Sequence, residues 1–214
     1  MTTGEAQLAS EGEAQRYVEQ MATEEALERL NRYVGLLLAE NSRQNLISKA
    51  SEAEVWQRHI ADSAQLLEHV PREIYPEGAA GPWLDLGTGP GLPGLVIAIL
   101  RPEIPVVVVE SRARRVEFLE SCKHELGLAN CRVIGQRLER VEPFPAWIIS
   151  ARAFAPLEKL LRLSAPFSTR GTRYLLPKGR SAAHELGASK PAIRKMFHVK
   201  QSLTDPEAGI IVSA

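Results

Sequence analysis

Residues 83–94 read Trp-Leu-Asp-Leu-Gly-Thr-Gly-Pro-Gly-Leu-Pro-Gly, and no other stretch of the chain is better equipped for chemistry. An apolar run delivers Asp85, then Gly87, Gly89 and Gly91 at alternate positions, and helix-forming residues follow from Leu92 to Leu100. Glycine lets a backbone turn sharply and approach a ligand, while the next helix begins with free N–H groups. Strand, turn and helix in this order form the nucleotide-binding corner of an open α/β sheet. Two spacings are satisfied at once. Gly89, Gly91 and Gly94 fit G-x-G-x-x-G, the dinucleotide loop, and Asp85, Gly87, Gly89 and Gly91 fit D-x-G-x-G-x-G. A pyrophosphate wants helix N–H groups without a nearby anion. A cofactor carrying an ammonium and a sulfonium can use a carboxylate at the strand end, so Asp85 favours the second pattern. Glu110 closes the run Val106-Val107-Val108-Val109, 19 residues beyond Gly91, where an acid at the second strand tip accepts hydrogen bonds from ribose hydroxyls.

The D-x-G-x-G-x-G pattern resembles that of S-adenosylmethionine-dependent methyltransferases of the Rossmann-like class. The elements around it agree. Apolar and β-branched runs predict strands at 83–86, 106–109, 131–135, 146–150 and 172–176, with helices at about 92–100, 112–126 and 156–163. Such alternation implies a mostly parallel sheet covered on both faces. After short helical stretches at about 181–187 and 191–195 come strands 197–204 and 209–213, divided only by Asp205-Pro206-Glu207-Ala208, hence an antiparallel hairpin. The expected fold is α/β: a class I methyltransferase sheet of seven strands, mostly parallel, with a C-terminal antiparallel hairpin and an N-terminal helical extension. The extension takes 1–80 and the methyltransferase domain 81–214.

Within the extension, residues 1–22 read as a lead-in, helical at best from about Gly12. Thr23 can cap a helix with Glu24 and Glu25 in its first turn, and Leu27, Leu30, Val34, Leu37 and Leu38 form its apolar face. Ser51 and Glu54 have the spacing of a capping box for a helix running to about His69 and stopping at Pro71, and 78–82 reads as a linker.

Composition narrows the setting. The 214 residues are 44% hydrophobic and 24% charged with zero formal net charge, ordinary for a globular protein. The charge is unevenly spread: 7 basic against 14 acidic residues over 1–80, but 11 against 2 over 150–200. A basic C-terminal third raises the expectation of a polyanionic partner. The polar, acidic N-terminus is no signal peptide, and no apolar stretch is long enough to span a bilayer. Cys122 and Cys131 lack metal-site spacing and read as reduced thiols, which points to the cytoplasm, with no metal and a monomer as the default.

Five segments together carry a more specific resemblance: Asn45-Leu46-Ile47, Arg58-His59-Ile60-Ala61-Asp62-Ser63, Asp85 to Gly94, Ala151-Arg152-Ala153-Phe154-Ala155-Pro156-Leu157 and Pro177-Lys178-Gly179. They resemble the bacterial 16S rRNA methyltransferase G family, also called the glucose-inhibited division protein B family, in register from about 45 to 180. The resemblance implies methylation of N7 of a guanosine in the helix-18 (530) loop of 16S rRNA, free or in a small-subunit precursor, with S-adenosyl-L-methionine as donor. It places cofactor contacts on Gly87 and Leu92, on Leu138 and Glu139 after the third strand for the adenine, and on Arg152 at the fourth strand tip. Glu110 stands where many members have Asp, and Trp147 where relatives often have Asp, so no role is given to Trp147.

N7 of guanine is a lone-pair nucleophile with no proton to lose, so attack on a sulfonium methyl needs in-line placement and a dry pocket but no general base. The chain has no Pro-Cys dipeptide for pyrimidine attack, and Ser150-Ala151-Arg152-Ala153 replaces the Asn-Pro-Pro-Tyr-like segment used on exocyclic amines. Arg152 would face the methionine carboxylate or an RNA phosphate, or else simply pair with an acid. Phe154 could stack on an extruded guanine or pack in the core. Arg58, His59, Ser63 and Lys178 are the remaining candidates near the target base. Arg162, Arg170, Arg173, Lys178, Arg180, Lys190, Arg194, Lys195 and Lys200 would position phosphates without reading sequence. Three readings compete: a small-molecule or protein methyltransferase, an NAD-dependent oxidoreductase using Gly89, Gly91 and Gly94, and a non-catalytic RNA-binding protein.

Overall fold

The structure, a computed structural model, describes residues 7–70 and 81–213. Two helices open it, α1 (Glu11–Glu19) and α2 (Glu24–Gln44), followed by a helical segment over 56–69 whose middle turn is α3 (Asp62–Ala64). The alternating part comprises β1 (Trp83–Leu86), α4 (Gly94–Leu100), β2 (Val106–Val109), α5 (Ala113–Glu125), β3 (Cys131–Ile134), β4 (Ile148–Ser150), α6 (Leu157–Ser164) and β5 (Arg173–Gly179). It closes with α7 (Ala182–Ala188), α8 (Pro191–Arg194), β6 (Phe197–Gln201) and β7 (Gly209–Ser213). The seven strands run in the order β3-β2-β1-β4-β5-β7-β6. The first five pair in parallel; β7 pairs antiparallel with both β5 and β6. This is the expected sheet. Its hairpin is joined by 202–208, a longer connection than Asp205–Ala208, because β6 already ends at Gln201.

All side chains of β1 and β2 are buried, as a parallel strand covered on both faces requires. Strand alternation then sorts them. Trp83, Val106, Val108 and Ile148 join one apolar cluster with α1, α2, α4 and α5, while Leu84, Leu86, Val107, Val109 and Ile149 join a second cluster with α6 and α7. The first cluster contains Ala14, Val18, Leu30, Tyr33 and Leu37, so the N-terminal helices share the core of the sheet's first face.

Thr23 does cap α2, accepting from the Ala26 N–H. The buried face of that helix is centred one position away from the expected one: Leu30 and Leu37 are buried along with Ala26, Tyr33 and Asn41, whereas Leu27, Val34 and Leu38 are partly buried at its margin. The Ser51–Glu54 capping box is not formed. Ser48 caps a short turn over Lys49–Ser51, and the helical segment starts at Trp56. The Trp56 and Gln57 N–H groups donate instead to the Glu11 carboxylate at 2.8 and 2.9 Å. An acid from α1 does at long range what the local box would have done, and it frees Ser51 for another partner. The segment ends at His69; its expected stop at Pro71 and most of the 78–82 linker fall outside the described residues.

Candidate functional site

In an open parallel sheet ligands bind beyond the carboxyl ends of the strands, where strand order reverses. Here that point is β1, flanked by β2 on one side and β4 on the other. The loop leaving β1 turns through Gly87, Gly89 and Gly91 at φ of 63°, 61° and 108°, backbone that a side chain would strain. The Thr88 carbonyl accepts from the Gly91 and Leu92 N–H groups, both at 3.0 Å, and the Thr88 N–H donates to the Val109 carbonyl on the neighbouring strand. A Cβ on Gly94 would stand 2.4 Å from Val108 and 2.9 Å from the Asp85 carboxylate, so glycine there lets α4 settle on the sheet.

Asp85 is fully buried and its carboxylate points inward. One oxygen accepts from Ser150 Oγ at 2.7 Å, the other from the Gly94 N–H at 3.0 Å. Ser150 in turn accepts from Trp83 Nε1 at 2.8 Å. Burial raises the Asp85 pKa, opposed by the Thr88, Ser150 and Gly94 groups and by Arg152. Asp85 therefore ties β1, β4 and the start of α4 together and reaches a ligand only through the loop it shapes. The hydroxyl of Thr88 is buried beside Asp85 without a well-formed hydrogen bond.

Glu110 sits at the tip of β2, almost buried. Its Oε1 accepts from the Ser111 and Arg112 N–H groups at 2.7 and 3.0 Å, which fixes the side chain, and Oε2 faces Arg115 at 3.7 Å. One oxygen is thus spent on orientation, and the other is left to accept from a ligand. Leu138 and Glu139 lie in a short turn over Leu138–Arg140 after β3, the first buried and the second exposed. Leu92 is buried in the first cluster, so only its backbone is available to a ligand. The Glu110 carboxylate and a glycine backbone, with no cation on the loop itself and the buried Asp85 behind it, suit a nucleoside bearing positive charge better than a pyrophosphate. The residues fit S-adenosylmethionine.

Beyond β4 and β5 lies a cavity of about 1250 Å³ lined by Arg58, His59, Asp62, Arg152, Phe154 and Lys178, among others. Phe154 separates it from the glycine loop: a Cβ on Gly87 would stand 2.5 Å from the Phe154 ring. The neighbouring Ala153 has φ of 52°, a left-handed conformation rare outside glycine, which sets the direction of the 152–154 turn. Arg152 Nη1 lies 3.2 Å from His59 Nδ1, 3.4 Å from the Arg58 carbonyl and 3.5 Å from Asp62 Oδ2. Arg58 pairs with Asp205 at 3.3 Å.

Two candidates differ from expectation in how they are placed. Ser63 is buried and donates to the His59 carbonyl at 2.6 Å, so it does not share a cavity face with the His59 ring. Such back-bonding is what a helix offers a serine with no other partner. Lys178 lies at the end of β5 as expected, but its side chain is only 7% exposed. Its ammonium donates to the Ala155 carbonyl at 2.6 Å and pairs with Glu185 at 3.2 Å, and Glu185 also accepts from the Leu157 N–H. Lys178 braces the 153–157 turn against α7. The basic residues Arg170, Arg180, Lys190, Arg194, Lys195 and Lys200 are exposed, with Arg180 paired to Glu207.

Tyr33 was missed by sequence reasoning. It is fully buried on α2, and its hydroxyl donates to the Pro90 carbonyl at 3.0 Å, bracing the glycine loop from behind. Only its helical phase with Leu30 and Leu37 could have placed it inside. Cys122 and Cys131 are buried and free, their thiols pushed up to about 12 by burial. Among the described residues no cluster of His, Cys, Asp or Glu could hold a metal ion, and no helix is long and apolar enough to cross a membrane.

Comparison with known proteins bears on the fold and the family. A solved complex of a mutant MtNAS with S-adenosylmethionine superposes with a TM-score of 0.53 over 86% of this chain and 74% of that one, at 17% identity. A fibrillarin/Nop5p complex gives 0.54 over 73% and 81%, at 15% identity. Those likenesses establish the fold. In sequence, the ribosomal RNA small subunit methyltransferase G of Erythrobacter litoralis is 55% identical over 205 residues, 96% of each chain. Its namesake from Novosphingobium aromaticivorans is 52% identical over 96% of this chain and 88% of its own. The family model GidB, rRNA small subunit methyltransferase G, matches residues 26–208, and the chain belongs to that family of methyltransferases.

Proposed function

We propose that this rRNA methyltransferase modifies N7 of a guanosine in the helix-18 loop of 16S rRNA, as a monomer without a metal, in the cytoplasm where small subunits are assembled. S-adenosyl-L-methionine is the methyl donor and supplies an electrophilic methyl group on its sulfonium. The observation that carries the reading is the pairing of the acid-flanked glycine loop with a cavity in which both ring nitrogens of His59 are engaged, so that His59 is not a free base. A nucleophile that arrives with its lone pair already available needs nothing more.

Glu110 Oε2 accepts from the ribose hydroxyls, and the backbone at Gly87, Gly89, Gly91 and Leu92 passes close to the amino-acid part of the donor. Asp85 keeps that backbone in shape. Leu138 and Glu139 border the adenine, and Arg152 receives the methionine carboxylate. Phe154, on the partition between loop and cavity, stacks on the guanine and excludes water from it. Arg58 at the cavity mouth and the exposed cations of 170–200 take phosphates. The test is mass-spectrometric mapping of rRNA from cells with and without the gene. Loss of 7-methylguanosine from the helix-18 loop is expected, and its persistence refutes the assigned target.

A further inference from the structure

The contacts behind Arg152 form a continuous polar network. Arginine can only donate, so His59 Nδ1 accepts from Arg152 Nη1 across 3.2 Å. That assigns the ring proton to Nε2, which donates to Ser51 Oγ at 2.8 Å, and Ser51 donates onward to the Ser48 carbonyl at 2.9 Å. On the other side Asp62 Oδ2 faces the same guanidinium nitrogen, and Asp62 Oδ1 accepts from Thr204 Oγ1 and Gln65 Nε2, both at 2.9 Å. Residues 48–51 and 202–204 thus back up, through His59 and Asp62, the side chain at the tip of β4. Among the described residues the contacts to the Arg152 guanidinium fall on Nη1, and the other nitrogen atoms of the fork can donate to a ligand.

We propose that His59 is a positioning residue for Arg152: its neutral ring, locked in the Nε2–H tautomer by Ser51, orients the guanidinium toward the donor. The inference rests on the reading that Arg152 contacts the donor. Without an acceptor at Nδ1 the guanidinium keeps only its longer contacts to the Arg58 carbonyl and Asp62, regains part of its rotamer freedom, and each hydrogen bond it makes to a ligand must then offset that entropy. His59 touches neither substrate nor reacting atoms. The ring's neutrality follows from its surroundings, since burial and the guanidiniums of Arg152 and Arg58 hold its pKa down at about 3.

The experiment is calorimetric titration of the full chain with S-adenosylhomocysteine, alongside steady-state methylation of 16S rRNA. Four proteins are compared: wild type, Arg152→Met, His59→Leu and His59→Asn. The Asn side chain places an amide oxygen near the Nδ1 position and serves as the rescue. Arg152→Met is expected to bind the probe at least about tenfold more weakly, in line with loss of a charge-assisted contact. His59→Leu should weaken it about 3- to 10-fold, the worth of one hydrogen bond, and raise the KM for S-adenosylmethionine with little change in the KM for RNA. His59→Asn should stay within about twofold of wild type. If Arg152→Met is impaired while His59→Leu binds as wild type, the positioning role falls and the donor contact stands. If Arg152→Met itself binds normally, both fall. If His59→Leu does not fold, His59→Gln takes its place, because its acceptor sits at the Nε2 position and leaves Arg152 without the ring acceptor; the same outcomes then decide.

Discussion

Tyr33→Phe isolates the coupling between the N-terminal helices and the glycine loop. The change removes one oxygen and leaves the ring in place, so the packing of α2 on the first cluster is untouched. What is lost is the 3.0 Å hydrogen bond to the Pro90 carbonyl, made between two buried groups. The hydroxyl is a dependable donor, because burial pushes its pKa well above the ordinary value and keeps it protonated. A buried carbonyl left without that partner costs about 1–3 kcal/mol. For a chain of this size each kcal/mol lowers Tm by about 2–4 °C, so the variant should melt about 2–12 °C below wild type. Thermal melts with and without saturating S-adenosylhomocysteine measure the effect. The ligand should recover part of the loss, because it stabilises the same loop from the opposite side by mass action. A melting point within 1 °C of wild type, together with unchanged ligand affinity, would refute the idea that α2 braces the loop.

Ser150→Ala should cost more, about 2–5 kcal/mol, because it strips a partner from both the Trp83 indole N–H and the Asp85 carboxylate inside the sheet; urea unfolding checks it, with an unchanged midpoint as the contrary result. Gly94→Ala places a methyl group 2.4 Å from Val108 and against the Asp85 carboxylate, so at least about 1–3 kcal/mol of overpacking strain should appear with weakened donor binding. His59 gives a pH signature. Its folded pKa of about 3 lies below the ordinary 6.5, so between those values the unfolded chain binds a proton that the folded one does not. Its contribution is complete above about 6.5 and is lost as pH falls, by at most about 1.4 kcal/mol per unit. The charged groups facing it are Arg152 at the β4 tip, Arg58 on its own helical segment and Asp62 beyond Arg152, while Ser51 is uncharged. His59→Asn should therefore flatten the acid limb of the stability–pH curve, and a curve identical to wild type would contradict the buried neutral ring. RNA affinity should fall with added salt, and replacing Lys195 or Lys200 by Gln should each reduce the slope of log K against log salt by about 0.7 if that residue holds one phosphate.

The sequence alone determined the sheet and the family of the chain. Runs of β-branched residues and the glycine spacing act locally, through backbone sterics and strand periodicity, so the strands, the turn after Leu86 and the acid at Glu110 were all legible. Tertiary structure decided the direction in which polar side chains spend their hydrogen bonds. Asp85 looked like a ligand contact and proves to be a strut between β1, β4 and α4. Ser51 looked like a helix cap; Glu11 supplies that cap from α1, and Ser51 fixes the His59 tautomer. Lys178 looked like a phosphate-positioning cation, and its side chain is buried against Ala155 and Glu185, while Tyr33, which the apolar spacing did not single out, holds the glycine loop. The partners in these cases lie from 7 to 65 positions apart in the chain. Spacing reports which faces of a helix or strand are apolar, but the pairing of polar atoms is settled only when folded elements meet and each buried donor must find the acceptor within its reach.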